Sequence, residues 1–334
     1  LGQSLIHKRR GQLVESVHKG TIAVVDQKGD LVASVGNPNK VTYWRSAAKP
    51  FQVIPLIQRG GIEKYDLNLK EISVMCASHM AQNIHTETVK EILSKIGLQE
   101  SDLSCGTHPP GDKEVRNRLI RENSDPTEVY NNCSGKHSGM LALKELIQEK
   151  RKDYWKEDHP IQKLMIDIIS KLTDVSLENV YIAKDGCGVP VYGMPIKNMA
   201  YAYSRFNDEK LPRDINLSLH IVQKAMTKHP EMVSGIGKFN TELMQSTKGK
   251  IIAKGGAQGV FCFAIPHKKL GVAIKVEDGS NEPISTITLE VLRQLQAITD
   301  DELGDLQKYY TQNITNAKKE KVGEIKPVFK LDYL

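Results

Sequence analysis

The sequence predicts an α/β (α+β) fold, an antiparallel sheet flanked by helices, on three observations. β-rich runs lie near the start, at residues 21–25 and 31–35; the middle of the chain repeats apolar residues at helical spacing; and apolar runs between residues 250 and 276 are divided by glycine- or proline-bearing turns. At 334 residues the chain is long enough to close over a substantial core. No repeat, low-complexity segment or linker divides it, so it reads as one domain, residues 1–334, with a large helical portion (about 80–250) inserted between terminal strand regions.

The first two runs are joined by Asp26-Gln27-Lys28-Gly29-Asp30, a loop suited to a hairpin. After Arg45, residues Ala47, Ala48, Phe51, Ile54, Leu56 and Ile57 follow a helical period until Gly60-Gly61 stops it; Pro50 fits a first turn, whereas Pro55 kinks the helix beyond it. Amphipathic helices are expected at 86–96, 114–122, 136–148, 160–172, 215–227 and 284–298. Buried strands are expected at 72–76, 180–183, 251–253, 260–265 and 272–276, and the runs 250–254, 259–265 and 271–276 suggest an antiparallel meander. The run Glu149-Lys150-Arg151-Lys152-Asp153 reads as a solvated connector.

Composition narrows the function. Forty-six basic and 40 acidic residues leave a net charge of +6, scattered in twos and threes, which argues against nucleic acid as a partner. No stretch approaches the roughly 20 apolar residues of a bilayer span, so no membrane role is expected. The start, Leu1-Gly2-Gln3-Ser4, reads as a trimmed or tagged terminus. Five widely spaced cysteines (76, 105, 133, 187 and 262) read as reduced thiols in a cytoplasm.

Three segments could carry chemistry. Ser46 and Lys49 form Ser-x-x-Lys, which on a helix places both side chains on one face, where a neutral amine can take the serine proton; a capped helix start with a surface lysine gives the same pattern. Lys254-Gly255-Gly256 ends an apolar run, and Lys-x-Gly beside Ser-x-x-Lys recurs in penicillin-recognising serine enzymes with Thr at the middle position; a glycine-rich bend is the plainer alternative. Cys76-Ala77-Ser78-His79 offers a second hydroxyl or an ordinary turn. Finally, Asn131-Asn132-Cys133-Ser134-Gly135-Lys136-His137 and Asp185-Gly186-Cys187-Gly188 hold two thiols in polar turns, suited to zinc or to simple burial, with His137 the nitrogen ligand that chemistry alone favours. Asp185 could hold a substrate ammonium or form a common turn.

Taken with Glu15-Ser16-Val17-His18-Lys19-Gly20 and His229-Pro230-Glu231-Met232-Val233, these segments resemble, in one order, the asparaginase II family, the rhizobial-type (class 3) L-asparaginases. The resemblance implies a fold similar to serine β-lactamases, penicillin-binding proteins and glutaminases, and a homodimer. It implies serine-dependent hydrolysis of L-asparagine, with Ser46–Lys49 and Ser78–Lys254 as two catalytic pairs. It also implies substrate contacts from Arg45, His79, Asp185, Gly255 and Gly256, and a zinc ion on Cys133, Lys136 and Cys187. A lysine ligand requires that zinc displace its proton. One departure stands out: Met80-Ala81-Gln82 occupies the place where the family pattern has Ser-Gly-Glu, so the geometry and charge around Ser78 are open. Alternatives are a glutaminase, a β-lactam- or peptide-directed amidase on the same fold, a zinc-stabilised protein that binds without turnover, and a Cys133 nucleophile with His137 as its base.

Overall fold

The structure, a computed structural model, describes residues 2–334. The chain falls into two compact units, each assembled from separate stretches: Leu1–Thr42, Met194–Arg205 and Glu242–Leu334 in one, Tyr43–Gly193 and Phe206–Thr241 in the other.

The first unit is built on an antiparallel sheet. Its strands run in the order Gln312–Thr315, Lys321–Pro327, Gln3–Arg10, Leu13–Asp26, Leu270–Val276, Val260–Ile265 and Ile252–Gly255, and Leu31–Val35 pairs with both Leu13–Asp26 and Asp332–Tyr333. The hairpin and the late meander are both present, with Ala23 opposite Ala273, which is in turn opposite Cys262, itself opposite Lys254. Ile22, Ala23, Val24 and Val25 are buried in succession, as a strand covered on both faces requires. Helix Ile196–Ser204 lies against Leu13–Asp26 and Leu270–Val276. Gly271 permits that approach, because a Cβ there would meet the Ala200 carbonyl oxygen at 2.0 Å.

The second unit is mainly helical. Asn83–Lys95, Lys113–Arg121, Ser134–Leu146, Pro160–Thr173 and Arg213–Lys228 each cover one of the expected amphipathic segments within a few residues. Two expectations need correction. Residues 72–76 are no strand: Leu69–Met75 is a helix, started by a capping box in which the Asn68 side chain accepts from Glu71 N and Glu71 accepts from Asn68 N. It is buried because it packs against Asn83–Lys95, Ser134–Leu146 and Arg213–Lys228, not because it sits in a sheet. The expected helix after Arg45 is instead a 3₁₀ turn, Arg45–Ala48, followed by short helices Lys49–Gln52 and Ile54–Gln58, each with a proline in its first turn. The hairpin Tyr181–Lys184 with Pro190–Pro195 places Val191 opposite Ala183.

Among the described residues no helix is long and apolar enough to cross a membrane. All five cysteines are buried, and none of them is in a disulfide.

Candidate active site

In the helical unit, the backbone of the Ser46 turn is tied down first. Trp44 N donates to Tyr192 O at 2.8 Å. Arg45 adopts a left-handed φ of 54°, and the Lys49 N–H then closes onto the Ser46 carbonyl. Lys49 is 1% exposed, and its amine is satisfied internally. Nζ donates to Ala77 O at 2.5 Å, to Ser78 Oγ at 3.1 Å and to Cys133 Sγ at 3.1 Å. Ala77 and Ser78 reach it because the helix Leu69–Met75 ends at Cys76, after which Ser78 N bonds Val233 O and His79 N bonds Asn132 O. The lysine of the Ser-x-x-Lys turn therefore meets the second serine of the sequence analysis.

Cys133 is the N-cap of helix Ser134–Leu146, held by the Asn131 side chain on its N–H and bonded through sulfur to Asn132 Oδ1 at 3.1 Å. One turn on, Lys136 Nζ donates to Cys187 Sγ at 3.0 Å. Cys187 sits in the turn closed by Gly188 N onto Asp185 O, with Gly188 at φ +90°. The thiols meet: Cys133 donates to Cys187, which with the charge of Lys136 holds the Cys187 thiol down at about 4 in spite of burial. The same hydrogen bond and its burial push Cys133 up to about 12. Lys136 is buried at a cost to its charge, yet the two sulfurs hold its amine above the usual lysine range.

Two soft sulfurs and a nitrogen, converging in a buried place with one sulfur already favoured as thiolate, suit zinc by donor chemistry. Among the described residues there is no cluster of three His, Cys, Asp or Glu able to hold a metal, so a site here depends on the lysine. His137 is otherwise engaged: Nδ1 pairs with Tyr154 OH at 2.8 Å, and burial brings the ring down to about 3. The hydrogen bonds of Cys133 go to Asn132, Lys49 and Cys187, which gives no support to His137 as its base.

Arg45 reaches Asp185 Oδ1 from Nη2 at 2.7 Å and from Nε at 2.9 Å, and Gly186 N adds a third donor at 2.8 Å. Against the cost of burial, Lys136, the Gly186 N–H and Arg45 keep the Asp185 carboxyl below the usual carboxylate range. His79 accepts from Ala81 N through Nδ1 at 3.1 Å, so Nε2 carries the proton and donates to Ser134 Oγ at 2.9 Å. Burial above all, then His85 and Lys49, lowers the His79 ring well below the usual histidine range. With both nitrogens committed, this ring positions the segment after Ser78.

That segment is the one that departs from the family pattern. Met80 packs where Gly111 and Gly235 leave room, and its main chain bonds Ser234 O and Asp112 N. Gln82 donates to Asp112 Oδ2 at 2.9 Å and accepts from Ile236 N at 3.0 Å. A glutamate at 82 would set a second carboxylate against Asp112, so the neutral amide suits this surrounding.

Lys254, Gly255 and Gly256 lie in the sheet unit. Lys254 is on strand Ile252–Gly255, 1% exposed, with Nζ donating to Gly255 O at 2.5 Å; Gly256 N closes the turn onto Val260 O at 2.8 Å. Sequence reasoning missed the roles of Asn132, which bonds the Cys133 sulfur and accepts His79 N, and of Tyr154, which anchors His137 and Ser104 N. Asn132 lay inside a motif already singled out, whereas no spacing points to Tyr154.

Among curated proteins no sequence matches this chain. Solved structures similar to it include a β-lactamase from Mycobacterium bovis, at 12% identity over 82% of this chain and 94% of that one with a TM-score of 0.42. A putative β-lactamase from Bacteroides dorei has 12% identity over 82% and 93%, with a TM-score of 0.41. Mglu in its glutamate form has 12% identity over 83% of this chain and 61% of its own, with a TM-score of 0.38. The profile of L-asparaginase II matches residues 6–327, nearly the whole length, and the chain belongs to that family.

Proposed function

We propose that this amidohydrolase converts L-asparagine to L-aspartate and ammonia through a serine acyl-enzyme. The observation that carries the reading is the buried Lys49 amine, one turn from Ser46 and 3.1 Å from the Ser78 hydroxyl. A serine is a weak nucleophile near neutral pH, and an amine beside it supplies the base once it has lost its own proton. Ser46 attacks the side-chain amide carbon, and its proton passes to Lys49. Ser78 holds that amine in place and relays protons, with Lys254 its partner in the family pattern. The proton returns to the leaving nitrogen as the C–N bond breaks, ammonia departs, and water attacks the ester to release aspartate. N–H groups near the nucleophile stabilise the oxyanion. Arg45 and Asp185, fixed on each other, supply substrate contacts.

Cys133, Lys136 and Cys187 would hold a zinc ion. When bound, the metal supplies a fixed positive charge that positions the pocket and the substrate's charged end. The protein's own part is to keep Cys187 ready as a thiolate and to hold Cys133 beside it. The buried thiols, none in a disulfide, support a cytoplasmic setting, and family resemblance supports a homodimer, which size-exclusion chromatography reads directly.

The test is an ammonia assay on both carboxamide amino acids, with mass spectrometry of the protein quenched during turnover. Ser46→Ala is expected to lose about three orders of magnitude or more in kcat and to keep its circular dichroism. An acyl adduct on the peptide containing Ser46 is the positive signature. Unchanged turnover in Ser46→Ala, with loss in Ser78→Ala, transfers the nucleophile to the hydroxyl that Lys49 touches. Glutamine is the second substrate to try, since one methylene changes discrimination by only about 1–3 kcal/mol.

A further inference from the structure

Three polar side chains meet the Cys133 sulfur, and they differ in what they can do for it once it has lost its proton. Lys49 Nζ, at 3.1 Å, can only donate, and Cys187 is the other thiol of the pair. The third is Asn132, the residue just before it, whose side-chain Oδ1 accepts from the thiol at 3.1 Å. That bond suits a protonated sulfur alone. A metal binds the thiolate, which has no hydrogen to give, and a carbonyl oxygen left against it would set two electron-rich atoms in contact. The other half of the amide removes the conflict: a half turn about the last side-chain bond exchanges Oδ1 for the NH2 group, which donates to a thiolate.

Hydrogen bonding decides whether an asparagine here is able to turn. Asn131 is not. Its Nδ2 donates to Cys105 O at 2.9 Å and to Gly106 O at 3.0 Å, while its Oδ1 accepts from Cys133 N at 2.8 Å, so both ends are committed and it fixes the main chain of Cys133. Asn132 is held through its main chain, its carbonyl accepting from His79 N at 3.1 Å. Of its side chain, Oδ1 bonds only the Cys133 sulfur, and Nδ2 has no partner among the described residues. Turning this amide therefore breaks no bond except the one that metal binding itself removes.

We propose that Asn132 is a positioning residue for the zinc site: its side-chain amide accepts from the Cys133 thiol before the ion arrives and donates to the Cys133 thiolate once it is bound, which raises the affinity of Cys133, Lys136 and Cys187 for zinc. The inference rests on the zinc reading given above. An N–H donor draws charge from the sulfur and opposes its reprotonation, so the metal competes with one proton fewer.

Zinc-loaded full-length protein challenged with a chromogenic chelator gives the affinity, and cobalt(II) in place of zinc gives a thiolate-to-metal charge-transfer band. Asn132→Leu, close to the same shape but without either polar atom, is expected to bind zinc about 10–100-fold more weakly. Its cobalt band is expected to move to longer wavelength, because a sulfur that has lost an N–H donor gives up electron density more readily. Asn132→Ala is the companion variant where Asn132→Leu folds poorly, since either side chain leaves the main-chain bond to His79 N in place. Wild-type affinity and an unmoved band in both variants overturn the inference and leave the zinc site standing. Weaker binding with an unmoved band overturns it too, because lost scaffolding lowers affinity without touching the electrons of the sulfur. A wild-type chain that takes up neither ion overturns the zinc reading, and this inference with it.

Discussion

Ala81 is held at φ +62°, where an L-residue with a Cβ is strained, because its N–H is committed to His79 Nδ1 at 3.1 Å and Gln82 must reach both Asp112 and Ile236. The surroundings, not the residue, dictate that conformation. Ala81→Gly is therefore expected to raise stability by about 1 kcal/mol, read as a higher urea midpoint at unchanged m-value. A midpoint that stays or falls would show that the Ala81 methyl contributes packing worth more than the strain. At the same scale, the Ser-x-x-Lys spacing drew notice to Lys49 through Ser46, while the serine that its amine meets in the fold is Ser78, at 3.1 Å. It could not show that the amine rests on Ser78 and Cys133, residues 29 and 84 positions away, because that contact exists only once the Leu69–Met75 helix is packed. Lys136 and Cys187 likewise were legible as chemistry-bearing residues, while their approach across 51 positions came only with the fold.

Elements were most legible where the period was long. Helices of nine or more residues appear near their expected places with the exception of Ile196–Ser204, where none was expected, whereas the seven-residue Leu69–Met75 carries a run, Ile72 to Met75, whose burial on every side removes the helical period that would have revealed it. Asn68 and Glu71, a cap followed three residues later by its reciprocal acid, were the signal that outweighs such a run. The contact that matters most for the candidate site is between this helix and Ser134–Leu146. A Cβ on Gly135 would lie 2.2 Å from the Val74 carbonyl oxygen, and backbone cannot rotate aside as a side chain does. Gly135→Ala is expected to cost roughly 1–3 kcal/mol and to displace the helix start bearing Cys133 and Lys136. Thermal unfolding measures the first effect, and zinc retention after dialysis the second; a variant with wild-type midpoint would mean that the two helices can separate without loss.

For the whole molecule, the antiparallel sheet and its late meander were legible because alternating or uniformly apolar runs were bounded by glycine and proline. The strands Gln3–Arg10 and Lys321–Pro327 were not, because they are polar pieces at opposite ends of the chain that become strands by pairing with each other, Ile6 opposite Pro327 and Lys8 opposite Ile325. The helical unit has a different global property, set by two stacked imidazoles, His79 and His85, with ring centroids 5.1 Å apart. Both are buried, and burial lowers both below the usual histidine value of 6.5, the more so for His79, which also feels His85 and Lys49. Below that pH the unfolded chain takes up protons that the folded one refuses, so stability is full above about pH 6.5 and falls as the medium is acidified. Each ring adds up to about 1.4 kcal/mol per pH unit to that slope. His85→Gln, whose amide can still donate to the Glu231 carbonyl, is expected to lower the slope of the denaturation free energy just below pH 6.5, by at most one proton. An unchanged slope in that variant would mean that His85 is already protonated in the folded protein, and that its stacking on His79 persists between unlike rings.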